Sequence, residues 1–196
     1  INEERPQLTK HLATRFKEKI GQNVNLLGEV VLGNGEADHR YHHYLEALES
    51  PDINYISVKI SGIYAQTHAL NYEESFPELV SRMSALYQKA IDFPYTDEDG
   101  IKRSKFINLD MEEYKDAHFT LRLFKAVLNL PQFKNYSAGI VVQAYLPDAY
   151  DFQTELLEFA KARIDGGGAP IKMRLVKGCN LEMEKVISSL KGWPNP

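Results

Sequence analysis

Tyr55-Ile56-Ser57-Val58-Lys59-Ile60-Ser61-Gly62-Ile63 and Phe106-Ile107-Asn108-Leu109-Asp110-Met111-Glu112 alternate between apolar and polar positions. Successive side chains of a strand point to opposite faces, so each stretch predicts one greasy face and one polar face. In the first, Ile56, Val58 and Ile60 oppose Ser57, Lys59 and Ser61; in the second, Ile107, Leu109 and Met111 oppose Asn108, Asp110 and Glu112. Three further runs repeat the pattern. Asn25–Glu29 puts Asn25 and Glu29 on the polar parity. Gly139–Tyr145 sets Val141, Gln143 and Tyr145 against Ile140, Val142 and Ala144, and Ile171–Lys177 sets Lys172 and Arg174 against Ile171, Met173 and Leu175.

Helical periodicity fills the gaps between these runs. Gly35–Glu49 aligns Tyr41, Tyr44, Leu45 and Leu48. Glu74–Asp92 aligns Leu79, Met83, Leu86 and Ala90, with Pro77 placed in the first turn. Lys115–Leu130 aligns Phe119, Leu123, Phe124, Val127 and Leu128 and ends before Pro131. Asp148–Asp165 aligns Phe152, Leu156, Phe159 and Ala160 and stops at Gly166-Gly167-Gly168, a C-terminal breaker. The opening stretch through Ile20 is helical, a last helix starts near Leu181, and Phe93–Ser104 reads as a polar loop insertion.

Strand and helix repeating at intervals of roughly 30 residues predict parallel strands joined by crossover helices. A doubly wound sheet carries helices on both faces, so its strands should be apolar on both parities. A closed barrel carries helices only outside and leaves the inner parity free for polar groups near its mouth. The alternation therefore predicts an α/β fold, a TIM-type (β/α)8 barrel, of which about the first five β/α units lie within residues 1–196 as one incomplete domain. An opening at Ile1 and a loop-like end at Gly192-Trp193-Pro194-Asn195-Pro196 fit the expectation of an excerpt from a longer polypeptide.

Composition bounds the function. Hydrophobic content of 43% and charged content of 26% are those of a globular chain. A net charge of −4 argues against a nucleic-acid surface, which concentrates Lys and Arg. No apolar stretch approaches the roughly 18 residues that a membrane-spanning helix needs. The single cysteine, Cys179, cannot form an internal disulfide.

Asp110, Glu112, Gln143 and Arg174 fall late in their runs, toward the carboxyl ends where barrels place their catalytic mouth, and Lys59 falls midway along its own. Enclosed charges cost several kcal/mol each if unpaired, so Lys59 and Arg174 need Asp110, Glu29 or a bound anion as partners. A structural ion-pair network would explain any one of these residues. The whole set gathered on one side points to a site.

Leu27-Gly28-Glu29, Ser57–Ser61, Asn108–Glu113, Val142–Tyr145 and Arg174–Gly178 together resemble successive motifs of proline dehydrogenase, most of all the catalytic barrel of bacterial proline utilization A flavoenzymes. The likeness runs from about Val24 to the C-terminus, in order and without a long gap; each motif is weak alone and the ordered set is specific. The resemblance implies a barrel that binds FAD and oxidises L-proline to 1-pyrroline-5-carboxylate, with hydride transfer to flavin N5 and electrons passing on to a quinone. It implies that Lys59 pairs with the proline carboxylate, that Asp110 holds Lys59 and shapes the pocket, and that Arg174 lies by N5. Gln143 would meet the polar edge of the ring system, and Met111, Val176, Lys177, Gly178 and Cys179 would line the cofactor. Glu29 would stand at the mouth as a gate or counter-ion. The implied location is the cytoplasm, with peripheral contact of the full-length protein at the inner membrane.

The residue types suit that chemistry independently. A fixed guanidinium such as Arg174 stabilises negative charge arriving on a ring system, a lysine is a point-charge partner for a carboxylate, and Gly178 lets backbone approach a flat cofactor. Two features depart from the family. Asn180 stands where many members have an aromatic residue, and Cys179 stands at a commonly alanine-like position. The family's last strands and final helix, with a pair of arginines for the carboxylate and most adenosine contacts, fall outside these residues, so the excerpt alone is expected to bind FAD poorly and to be inactive.

Other readings remain at this point. Lys59 could form a Schiff base in an aldolase-type barrel with Asp110 or Glu112 moving protons, or the piece could be an inactive scaffold. His39, His42 and His43 read as a solvated helix stripe and not a metal site. The Gly166–Gly168 run precedes a strand and reads as a turn, not a phosphate loop.

Overall fold

The structure, a computed structural model, describes residues 5–26, 31, 33–65, 71–178 and 180–194. Glu29 and Cys179, and most of the first polar run, therefore lie outside the described residues. Helix α1 (Arg5–Lys17) leads into strand β1 (Val24–Asn25), α2 (Asn34–Glu49), β2 (Tyr55–Lys59) and α3 (Tyr72–Asp92). A hairpin of β3 (Tyr95–Thr96) and β4 (Lys102–Arg103) follows, then β5 (Phe106–Asp110), α4 (Ala117–Leu128), β6 (Gly139–Gln143), α5 (Ala149–Asp165), β7 (Lys172–Val176) and α6 (Leu181–Lys191).

The main sheet is parallel throughout and runs β1-β2-β5-β6-β7. Each main-sheet strand lies beside the one before it in the chain, so the order never reverses. A doubly wound sheet needs such a reversal; a barrel wall does not. The strands form an open wall with β1 and β7 at its edges.

One parity of this wall makes the core. Ile56, Val58, Ile107, Leu109, Ile140 and Val142 are all buried and cluster with Leu79, Met83 and Leu86 of α3, Leu123, Phe124 and Val127 of α4, and Phe152 and Leu156 of α5. Each such side chain contributes roughly 1.5–3 kcal/mol by leaving water. β6 is buried on both faces, whereas Leu175 on the edge strand β7 is 55% exposed.

Two sequence expectations need correction. Phe93–Ser104 is not a plain loop: Tyr95 and Thr96 pair antiparallel with Arg103 and Lys102. Asp97 Oδ1 accepts the N–H groups of Asp99 at 3.0 Å and Ile101 at 2.8 Å, and Gly100 takes φ +78. Helix α3 starts upstream of Glu74, which moves Pro77 out of its first turn. Tertiary contacts extend it, because Tyr72 stacks on Phe119 at 4.3 Å and donates to Asp116 Oδ1 at 2.6 Å. The Gly166–Gly168 turn closes α5 as expected, with Gly167 at φ +73. Among the described residues no helix is long and apolar enough to cross a membrane.

Where chain enters the strands, cations rest on carbonyl oxygens. Arg163 donates to the carbonyls of Leu128, Phe133, Lys134, Tyr136 and Ala169, tying the segments before β6 and β7 together. Lys105, 1% exposed, donates to the Ser50 carbonyl. Burial pushes the Lys105 ammonium down from 10.5 to about 8, with Asp52 pulling the other way. Between those values the unfolded chain binds the extra proton, so Lys105 penalises folding below pH 8 and the penalty fades as pH rises toward 10.5. Denaturant melts should therefore show wild-type stability gaining on Lys105→Met between pH 8 and 9.5; a gap constant with pH would refute this assignment.

Candidate active site

The other parity of the wall stacks in layers. Tyr55 and Phe106 are register partners and meet edge to face at 5.0 Å, with Lys172 Nζ 5.8 Å from each ring centre. Above this aromatic floor Ser57 pairs in register with Asn108, and Asn108 with Gly139. A Cβ at Gly139 would meet Asn108 Oδ1 at 2.7 Å and the Phe106 ring at 2.9 Å, so the filled layer needs glycine there. The next layer sets Lys59 beside Asp110 and Val141 beside Arg174.

Asp110 is the node of the site. Its Oδ1 accepts from Asn108 Nδ2 at 2.7 Å, Arg174 Nη2 at 3.0 Å and Ser57 Oγ at 3.3 Å. Ser57 Oγ in turn accepts from Asn23 Nδ2 at 2.8 Å. Burial pushes the Asp110 carboxyl above the usual range, opposed first by Arg174, then by the Ser57 and Asn108 hydrogen bonds and by Lys59. Burial likewise raises the Tyr55 phenol while Arg174 pulls it back.

Lys59 is held differently from expectation. Its ammonium lies 2.8 Å from Glu112 Oε1, and Glu112 Oε2 accepts from Ser61 Oγ at 2.5 Å. The ion pair expected between Lys59 and Asp110 is replaced by two pairs, Lys59–Glu112 and Arg174–Asp110. The reason is local: β5 ends at Asp110 and β2 at Lys59, so Glu112 and Ser61 sit in the connections just above the charged layer.

Gln143 is buried at the end of β6, where its Nε2 donates to the carbonyls of Met111 at 2.6 Å and Glu112 at 2.7 Å. Gln143 Oε1, Arg174 Nε and Asn108 Oδ1 are buried without a hydrogen-bond partner among the described residues. Met111, expected to line a cofactor, is buried in the hydrophobic core cluster, and its carbonyl accepts from Gln143. Val176 is half-buried beside Gln143 in register, and Lys177 is exposed. Gly178 takes φ +116, and the position of its missing Cβ is filled by the Tyr145 ring.

A family model described as proline dehydrogenase matches residues 8–196. The chain belongs to the proline dehydrogenase family. No curated protein sequence matches it. Among solved structures, proline utilization A (PutA) from Corynebacterium freiburgense is 43% identical with a TM-score of 0.88 over 96% of this chain. PutA from Bdellovibrio bacteriovorus inactivated by N-propargylglycine is 31% identical with a TM-score of 0.80 over 100% of this chain. Bradyrhizobium japonicum PutA, at 23% identity and a TM-score of 0.74 over 88% of this chain, shares the fold. The first two matches cover only 19% and 21% of those longer chains.

Within this proline dehydrogenase wall, four expected residues share the inner face: Lys59, Asp110, Gln143 and Arg174. The sequence reading missed Ser57, Asn108 and Asn23 as supports of Asp110, although Ser57 and Asn108 carry the signal of lying on its parity one step below. It also missed Tyr114 and Glu184, which line a cavity of about 370 Å³ with Leu146, Pro147, Ser188, Trp193 and Pro194. Glu184 there accepts the Tyr114 N–H at 2.8 Å, and Asn180, at the N-cap position of α6 without a side-chain cap hydrogen bond, donates from Nδ2 to Glu184 Oε1 at 3.4 Å. On α2, His39 and His43 meet at 2.9 Å and His43 approaches Glu46 at 3.2 Å; no group of three metal-ligating side chains occurs among the described residues.

Gly178 gives this site a direct test. A side chain there would carry a left-handed strain of roughly 1–3 kcal/mol and also displace Tyr145. Gly178→Ala should lose at least about 2 kcal/mol in denaturant melts, and part of that loss should return in the Tyr145→Ala background. Equal losses in both backgrounds would refute the packing.

Proposed function

We propose that this chain forms part of a barrel that binds FAD and oxidises L-proline to 1-pyrroline-5-carboxylate. The observation that carries the reading is the charged inner layer at the carboxyl ends of the strands, Lys59 and Arg174 with Asp110 between them in sequence, in a chain of this family. Lys59 is the half-exposed cation suited to a small carboxylate. Arg174 is held through Nη2 by Asp110, and among the described residues its buried Nε is an unsatisfied donor and Gln143 Oε1 an unsatisfied acceptor. A flat heterocycle with N–H and ring N or O groups along one edge suits that pair, so the residues fit a flavin.

Bound there, FAD would supply the two-electron acceptor at N5 and pass electrons on to a quinone. The chain's own residues bind and orient: Lys59 holds the carboxylate, Arg174 presents fixed positive charge, and Asp110, kept in place by Ser57 and Asn108, prevents that charge from swinging away. Glu29 at the mouth and Val176, Lys177, Gly178 and Cys179 along the cofactor are carried from the family resemblance. So are the quinone acceptor and a cytoplasmic location with peripheral contact at the inner membrane.

Family membership and the paired state of both cations favour this over an aldolase-type lysine or a bare scaffold. The test is the visible spectrum of the purified full-length protein. We expect flavin bands that bleach on adding L-proline without oxygen. Lys59→Met should raise the proline KM about tenfold or more, and Arg174→Met should slow bleaching by about 10²–10³-fold. A colourless protein, or one whose bands ignore proline, would overturn the proposal.

A further inference from the structure

Building on the reading just given, we propose that Glu112 is a built-in stand-in for the substrate carboxylate: it pairs with Lys59 and is exchanged for the carboxylate of an incoming ligand. Asp110 is the less free of the two carboxylates, because its Oδ1 is shared by Arg174, Asn108 and Ser57. Glu112 divides its two oxygens instead. Oε1 faces Lys59 at 2.8 Å and Oε2 accepts from Ser61 at 2.5 Å, so losing Lys59 still leaves Glu112 hydrogen-bonded. Its backbone is pinned independently, the Glu112 carbonyl accepting from Gln143 Nε2 at 2.7 Å. The side chain can therefore turn aside without moving the wall.

Exposure makes the exchange cheap. The Lys59 and Glu112 side chains are 28% and 31% exposed, within reach of water and of a solute. A pair this open is weak, so replacing one carboxylate by another is close to thermoneutral. The device has two consequences. Lys59 keeps Glu112 as its counter-ion until a carboxylate replaces it, and a ligand gains from Lys59 only if it brings its own carboxylate. An uncharged analogue leaves the Lys59–Glu112 pair closed.

Competition has a sign that a structural role does not. In the flavin-loaded full-length protein, tetrahydrofuran-2-carboxylate is titrated by its perturbation of the flavin spectrum, with tetrahydrofurfuryl alcohol as the uncharged counterpart. Glu112→Gln and Glu112→Ala should each bind the carboxylate roughly three- to tenfold more tightly than wild type and leave the alcohol unchanged. Glu113→Gln, which removes a neighbouring charge paired with Lys115 at 2.9 Å, should leave both unchanged. Wild-type binding of the carboxylate with weaker or equal binding in both Glu112 variants overturns this inference alone, as does equal tightening in Glu113→Gln. Wild-type protein that loads flavin but binds neither probe overturns the proline reading and this inference with it.

Discussion

A single carboxylate oxygen on Asp110 joins three strands of the wall. Asn108 reaches it from the same strand, Ser57 from β2 and Arg174 from β7, two strands away across β6. Neighbouring strands lie about 4.8 Å apart, so strands two apart stand near 10 Å in a flat sheet. The Arg174–Asp110 contact of 3.0 Å spans that gap because the guanidinium is long and β6 places only Val141 between them. Layers built from alternate strands are how barrel interiors fill, and here the filling is ionic. Removing either partner would strand a half-enclosed charge, so the two residues constrain each other.

The period-two alternation made the sorting of faces legible. It assigned Lys59, Asp110, Gln143 and Arg174 to one side because strand parity is a one-dimensional property that needs no knowledge of the partners. It also separated the barrel wall from a doubly wound sheet, and the strand order agrees. The pairing of charges was not legible. Parity put Glu112 on the right face but not beside a given partner: the Lys59 partner lies two residues past the end of β5, where register with β2 no longer applies. The same limit explains the misjudged start of α3, which rests on Tyr72 packing against Phe119 and Asp116, residues over 40 positions away. Lys105 gave no signal because it follows Lys102, Arg103 and Ser104, a stretch that reads as surface.

Charge is managed differently at the two ends of the wall. Where chain enters the strands, Lys105 and Arg163 rest on neutral backbone carbonyls. Where it leaves them, Lys59 and Arg174 rest on carboxylates. The distinction is chemical. A cation clasped by carbonyls of the main chain can lose them only if the chain unfolds, and the enclosed charge then costs stability, as the lowered Lys105 ammonium shows. A cation paired with a side-chain carboxylate can change partners without disturbing the backbone, and the incoming partner can be a small anion from solution.

That contrast also ranks the two upper pairs. Arg174–Asp110 is the more firmly held on its carboxylate side: Asp110 is 13% exposed against 40% for Arg174, its Oδ1 accepts from three donors, and burial pushes its carboxyl upward. Lys59–Glu112 is open to solvent and rests on one contact per oxygen. The activity proposed above calls for both kinds, a cation that stays fixed while charge moves and a cation that can be released to a substrate. The wall supplies the first where the strand residue Asp110 holds Arg174, and the second where Glu112, in the connection after β5, holds Lys59.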